Sequence, residues 1–360
     1  MAHALACRPQ AVLTDVYREI TNAVLTDLQA GRVPWVRPWT TTGALPGLPH
    51  NPVTGRTYAG INILGLWRAC AEQGFVSQAW LTSDQIRRAG GAVRAGETGT
   101  VAYAGRFSAG SALARAGEPD IHGSPIGLLG RFSLFNVAQC RGLPDHLSSG
   151  PAPCADRDIE EEFHELLAAT GMDCELGGVR TFYMASRDIF ILSDWRSAVH
   201  EHDFHRDWLH ELIRATGHPS RLNRDIPDVF GHSGHGFEDL VAEFGCAFVC
   251  AVLGIEPALR HPDHVDAWIE ILRGDDLAFA RAASAATTAL DYLLALRDAQ
   301  AAAFDRLEAE DAKAERELAA RDAQARQCGR RQERERWAFG SATGSRPGEC
   351  LLAARHGGIP

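Results

Sequence analysis

The run His210-Glu211-Leu212-Ile213-Arg214 opens like the His-Glu-x-x-His helix that binds zinc in metallopeptidases. In that pattern two histidines four residues apart share a helix face and bind one metal, while the glutamate polarises the metal-bound water. Here Arg214 stands at the second histidine position. A guanidinium is permanently charged and has no lone pair to give a metal, so the motif fails at a ligand. Taken alone, the segment fits an ordinary amphipathic helix.

A second set of residues suggests different chemistry. Trp35, Trp39, Tyr58 and Trp67 are interleaved with Arg32, Arg37, Arg56 and Arg68. Aromatics in a basic loop offer stacking surfaces beside phosphate-binding charges, as sequence-tolerant binders of single strands require. The glycines of NPVTGRTYAGIN let backbone amides approach a phosphate, and Arg87, Arg88 and Arg94 add a second basic cluster beside Gly96 and Gly99. The plainer reading is that Trp and Tyr near prolines pack the loop onto a core. Trp67, at a helical position, is expected to be buried.

These residues need elements to hold them. Residues 14–30 carry apolar side chains at helical spacing, with Thr14 as N-cap and Gly31 as stop. A Pro- and Gly-rich loop follows, then helices at about 61–73, ended by Gly74, and from Thr82 to the Gly90-Gly91 pair. Strands are expected at 101–107 and 131–137, joined by a loose hairpin loop at 108–128. Further on come a helix at about 158–170, strands at 181–184 and 189–192, and the helix bearing His210. An apolar helix at 237–253 and helices at about 264–273 and 276–297 complete the globular part. From Asp298 the chain reads as an exposed, charge-laced helix fading into a disordered tail after Gly340.

The bulk numbers agree with two domains in 360 residues, each with its own core. Hydrophobic residues make up 45% and charged residues 23%, an ordinary globular composition. The net charge of −10 is uneven: residues 1–145 hold 13 Arg against 9 Asp and Glu, a net of +4, and the remainder carries −14. A basic part joined to an acidic part is expected where only one of them meets a polyanion. The longest apolar run, 246–255, is too short to cross a bilayer, and the N-terminus shows no secretory signal, so the cytoplasm is the expected compartment. The nine cysteines are scattered; only Cys246 and Cys250 lie close, on one helix face, and they read as buried free thiols.

The blocks DVYREITNAVL, GRVPWVRPW, LPHNPVTGRTYAGINILGLW, WLTSDQIRRAGGAVRAGETGT and FNVAQCRGLP, in that order, resemble the N-terminal domain of ArdC-type antirestriction proteins. That domain is shared with plasmid TraC primases. The resemblance implies single-stranded-DNA binding over roughly 12–145. One departure is RAGETGT, which keeps Glu97 but has Thr98 where relatives carry a lysine. WLHELIRATGHPSRLNRD, FEDLVAEFGCAF and WIEILRGDDLAFARAASAATTALDYLL resemble the zincin-type metallopeptidase domain of the same family, over roughly 160–295. The resemblance implies His210 as a metal ligand, Glu211 as general base, and Glu243 as third ligand, with Asp239 or Glu238 as its alternative. His218 also matches a family position.

The reading is therefore an α+β protein with an N-terminal single-stranded-DNA-binding domain at 12–145 and a linker at 146–157. A helix-rich, zincin-like domain with a degenerate motif follows at 158–297, then a charged helix and tail at 298–360. Stacking is assigned to Trp35, Trp39 and Tyr58, and phosphate contacts to Arg37, Arg56 and Arg94. Three states of the C-terminal site stay open. His218, His205, His232 or His235 supplies the missing ligand for zinc or manganese; Arg214 pairs with Glu243 or Asp239 and fills the cavity; or the domain is structural with His210 satisfied in the core. The function expected is that of a mobile-element protein shielding incoming DNA from restriction. The rival is a DNA-tethered peptidase acting on a protein substrate. A primase remnant ranks last, since no nucleotide-binding loop or polymerising carboxylate set is evident. Membrane partners are not expected, and the long charged helix fits self-association or a solvated helix equally.

Overall fold

The computed structural model describes residues 9–36, 47–104, 130–148, 159–178, 181–193, 201–224, 235–256, 259 and 264–342. Arg37, Trp39, His232, the loop at 108–128 and most of the expected linker lie outside the described residues. By internal packing the chain divides into residues 1–297 and residues 298–360.

In the first unit, helix α1 (Pro9–Gln29) buries Tyr17, Thr21, Val24 and Leu28, one face at three- and four-residue spacing. Helix α2 (Ile61–Gln73) ends where expected, at Gly74, whose left-handed φ of 70° closes the helix. Strand β1 (Trp80–Thr82) leads directly into α3 (Ser83–Arg88). Thr82 caps α3 reciprocally with Gln85. The strands β2 (Ala92–Val93), β3 (Thr100–Ala104), β4 (Gly130–Asn136) and β5 (Cys140–Arg141) follow. They form an antiparallel sheet in the order β1-β4-β3 and a small β2-β5 ladder.

After α4 (Ile159–Thr170) come β6 (Asp173–Gly178), β7 (Phe182–Met184) and β8 (Ile189–Ser193), ordered β6-β8-β7. β6 runs parallel to β8 and β7 antiparallel to it, so β7 forms one edge. Helix α5 (Glu201–Ala215) packs on β7 and on α6 (His235–Leu253). α6 is buried on nearly every side, as its largely apolar sequence requires, and its carboxylates Glu238, Asp239 and Glu243 are buried with it. At Gly245 a Cβ would sit 2.7 Å from the Ile213 side chain, so the missing side chain is what allows α5 and α6 to approach this closely. Helix α7 (Val265–Gly274) lies against α1 and α6, and the first turns of α8 (Ala278–Ala342) contribute an alanine-rich buried face.

The cores of the two halves are not separate. Two small clusters belong to the N-terminal half alone, around Trp80 and Leu81. The largest cluster joins Tyr17, Trp35, Ile63 and Trp67 to Trp208, Phe244, Phe248 and Trp268. Polar contacts run the same way: the Thr21 hydroxyl donates to the Asp276 carbonyl at 2.9 Å, and the Gly60 amide donates to Thr287 Oγ1 at 2.9 Å. The two domains expected from the sequence therefore share their largest core, beside the smaller clusters of the N-terminal half.

Trp35 is the clearest case. It is 1% exposed, with its ring 4.7 Å from Phe244 in an edge-on arrangement and 5.8 Å from Trp268. A ring in that position cannot stack on a base, so its expected DNA-stacking role is corrected to a core anchor. Trp35→Ala should cost about 3–5 kcal/mol in urea unfolding, from the apolar burial removed and the cavity left behind. Unchanged stability with weakened DNA binding would restore the stacking role.

Candidate metal centre and nucleic-acid interface

The carboxyl-terminal turns of α5 carry His210, Glu211 and Arg214, all on the side facing α6 and β7. His210 is 2% exposed and Glu211 is 9% exposed. Glu211 Oε2 accepts from the Tyr183 backbone amide at 2.9 Å and from Arg214 Nη1 at 3.1 Å, while Oε1 lies 3.5 Å from His210 Nδ1. His210 Nε2 lies 3.6 Å from Asp239 Oδ1. Asp239 Oδ2 is held in turn by His264 Nδ1 at 2.7 Å and by the Trp268 indole at 2.9 Å. Glu243, one turn further along α6, is 2% exposed.

Electrostatics follow from this packing. Burial pulls the His210 imidazole down, but Glu211, Asp239 and Glu243 outweigh it and hold its pKa above the ordinary histidine range. Burial pushes Glu211 up, yet His210, Arg214 and the Tyr183 amide hold it below the usual carboxylate range. Burial raises Asp239 as well, and His264, His210 and Trp268 overcome this to bring it down to about 2. Glu211 and Asp239 are thus favoured in their charged forms by the donors and cations beside them.

Arg214 pairs with Glu211, not with Glu243 or Asp239, which corrects the partner expected from sequence. The geometry explains the choice: Glu211 and Arg214 are three residues apart on one helix and so share a face. Among the described residues, no group of three His, Cys, Asp or Glu side chains is arranged to hold a metal ion. Arg214 occupies the second ligand position of the motif, and Asp239 is engaged by His264 and Trp268.

Among the described residues, His218 and His205 make their contacts away from His210. His218 Nδ1 lies 2.7 Å from Ser220 Oγ and 3.5 Å from Asp188, so it joins the loop after α5 and not His210, a correction to its expected role. His205 is buried against Phe163 with Nε2 2.8 Å from Glu160. Glu238 is bound to Arg224 through Nε at 2.9 Å, which removes it as an alternative ligand. His264 and Trp268 escape sequence reasoning, because only the fold brings α7 beside Asp239. The four-residue spacing of these two is the sole available signal. The Tyr183 amide is equally invisible, being a backbone group.

In the N-terminal half, Asn51 Oδ1 accepts from the Val53 and Thr54 amides and its Nδ2 donates to Gln85 at 3.0 Å, tying the Asn51–Tyr58 turn to α3. Gly55 turns the chain at a φ of 69°, and Arg56 stands exposed beyond it. Tyr58 is half-buried, with its hydroxyl donating to the Trp80 carbonyl at 3.1 Å. Arg94 is exposed and paired with Glu97 at 3.0 Å, and Glu97 is steadied by Gln139. Arg87 and Arg88 are exposed on α3. Trp67 is fully buried, as expected, its indole donating to the Gly47 carbonyl at 3.1 Å. Cys246 and Cys250 are buried free thiols with sulfurs 3.9 Å apart.

Fold and site together define a class: an α+β domain with exposed arginine-bearing turns, sharing a core with a zincin-like domain whose His210-Glu211 helix carries Arg214 at the second histidine position. A family model for the N-terminal domain of anti-restriction factor ArdC matches residues 14–121, and one for a zincin-like metallopeptidase matches residues 161–285. The chain belongs to the ArdC-type antirestriction family. It is 30% identical over 294 residues to the uncharacterized protein y4eC of Sinorhizobium fredii (strain NBRC 101917 / NGR234), covering 80% of this chain and 94% of that protein. It is 33% identical over 301 residues to an Escherichia coli DNA primase TraC, covering 79% of this chain but only 27% of the primase. The crystal structure of antirestriction ArdC protein from plasmid R388, in its Mn(II)-bound form, aligns with a TM-score of 0.62 at 28% identity, covering 78% of this chain and 97% of that one. Its metal-free form aligns equally well. Among the described residues no helix is long and apolar enough to cross a membrane.

Proposed function

We propose that this protein binds single-stranded DNA through its N-terminal half and shields the DNA of a mobile element from restriction in the cytoplasm, with the zincin-like half acting as a non-hydrolytic scaffold. The observation that carries this reading is the ion pair of Arg214 with Glu211 at 3.1 Å. It places a cation where the second ligand belongs and engages the carboxylate that would activate water. Binding then remains as the work of the chain, and the N-terminal half has the family relationship and the exposed arginines for it.

The contact set is Arg56, Arg94, Arg87 and Arg88 with Tyr58, together with Arg37 and Trp39 of the Pro-rich stretch before them in sequence. Glu97 partly neutralises Arg94, which makes Arg56 the stronger phosphate contact. An Arg56→Gln/Arg94→Gln double variant is expected to bind an oligothymidylate more weakly. The slope of log affinity against log salt should fall by about 1, since each phosphate contact to a single strand contributes roughly 0.7. An unchanged slope would move the interface elsewhere.

One observation favours a second reading, a DNA-tethered peptidase using zinc or manganese. His210, Asp239 and Glu243 are gathered in one buried acidic cluster, and the R388 relative has been crystallised with Mn(II). Metal content distinguishes the two readings.

A further inference from the structure

The second unit has a charge pattern that the reading above does not use. Within α8, residues 298–322 carry eight acids against four bases, whereas residues 326–337 carry five arginines against two glutamates. Arg326, Arg330 and Arg334 recur every four residues, which places them on one face about 6 Å apart along the axis. Trp337, three residues beyond Arg334, falls on the same face and is 82% exposed. The ion pair described in this stretch, Arg331 with Glu335 at 3.1 Å, belongs to other faces of the helix. Among the described residues Arg326, Arg330 and Arg334 enter no ion pair and are exposed. The apolar side chains of the segment, Phe304, Leu307 and Leu318, lie on a different face, rotated by about a third of a turn.

We propose that the Arg326/Arg330/Arg334 stripe with Trp337 is a second contact for single-stranded DNA, separate from the N-terminal interface. A row of guanidiniums at this spacing can follow the successive phosphates of an extended strand. An exposed indole at its end offers a stacking face that unpaired bases can use and paired bases cannot. Self-pairing of the helix would call on the Phe304, Leu307 and Leu318 face, which this stripe avoids. The acidic first part of the segment repels the strand and confines it to the arginine end.

The test uses the full chain and an oligothymidylate, titrated by fluorescence anisotropy across a salt series. Arg326→Gln/Arg330→Gln/Arg334→Gln should lower the salt slope by about 2, at roughly 0.7 for each phosphate that no longer meets a guanidinium. Trp337→Ala should weaken binding about tenfold at every salt concentration. Glutamine and alanine are good helix formers, and circular dichroism verifies that the helix is intact. An unchanged slope in a wild-type chain that binds DNA overturns this second contact and leaves the N-terminal interface standing. Absence of any binding by wild type overturns both. Equal losses on a duplex of the same length overturn the single-strand assignment. A salt-dependent change in sedimentation with DNA affinity unaltered assigns the stripe to self-association and overturns the proposal.

Discussion

Arg214→His is expected to bind about one manganese or zinc ion per chain where the wild type holds well below an equivalent, as measured by mass spectrometry of the dialysed protein. The substitution restores the four-residue pair with His210 and removes the guanidinium now 3.1 Å from Glu211. It also unpairs His210 from its role as internal cation, because ligation needs the neutral imidazole. His210→Ala in the Arg214→His background should abolish the gain, tying the metal to the intended helix face. A full equivalent on the wild type would show that the Arg214–Glu211 pair does not exclude metal. The peptidase reading would then take precedence, with Asp239 and Glu243 as its first ligands to probe.

A loss of stability as large as that at Trp35 is expected at Arg224. This side chain is 5% exposed and its partner Glu238 2% exposed. Its guanidinium also donates to the Ile213 carbonyl at 2.8 Å and to Thr216 Oγ1 at 3.0 Å, closing the end of α5 onto α6. Arg224→Met leaves the Glu238 carboxylate buried without its cation, which should cost about 3–5 kcal/mol in chemical denaturation. Pairing it with Glu238→Gln should recover part of that loss, since the penalty lies in the orphaned charge. A cost below about 1 kcal/mol would mean that water reaches this clamp and the two helices are held by apolar packing alone.

Much of this architecture is legible in the sequence, and the exceptions have physical causes. α2 and α3 are placed closely because their boundaries are local chemistry: Gly74 in a left-handed conformation, and Thr82 capping with Gln85. α6 is plain from its largely apolar sequence. β6 escapes notice because DCELGG has no alternating pattern; Leu176 is 85% exposed, and the strand exists through parallel pairing with β8. The short β2-β5 ladder is hidden for the same reason. In the site, His210 and Glu211 are where the motif puts them. The partners that decide their chemistry come from β7 and α7, which helical spacing on α5 cannot report. Trp35 shows the opposite error: its basic, proline-rich surroundings suggest a surface, yet the ring fills a hole between Phe244 and Trp268.

The main core spanning both halves bears on how such a chain can change over generations. Trp35 and Trp67 rest on Phe244 and Phe248, residues of the peptidase-like half. A deletion that discarded that half would expose both indoles and unravel the N-terminal half with it. Point substitution at a ligand carries no such penalty. Change at a site residue and persistence of the surrounding scaffold are therefore compatible outcomes of one architecture: chemistry can shift one residue at a time, while the polypeptide around it is retained as a structural dependency of its neighbour.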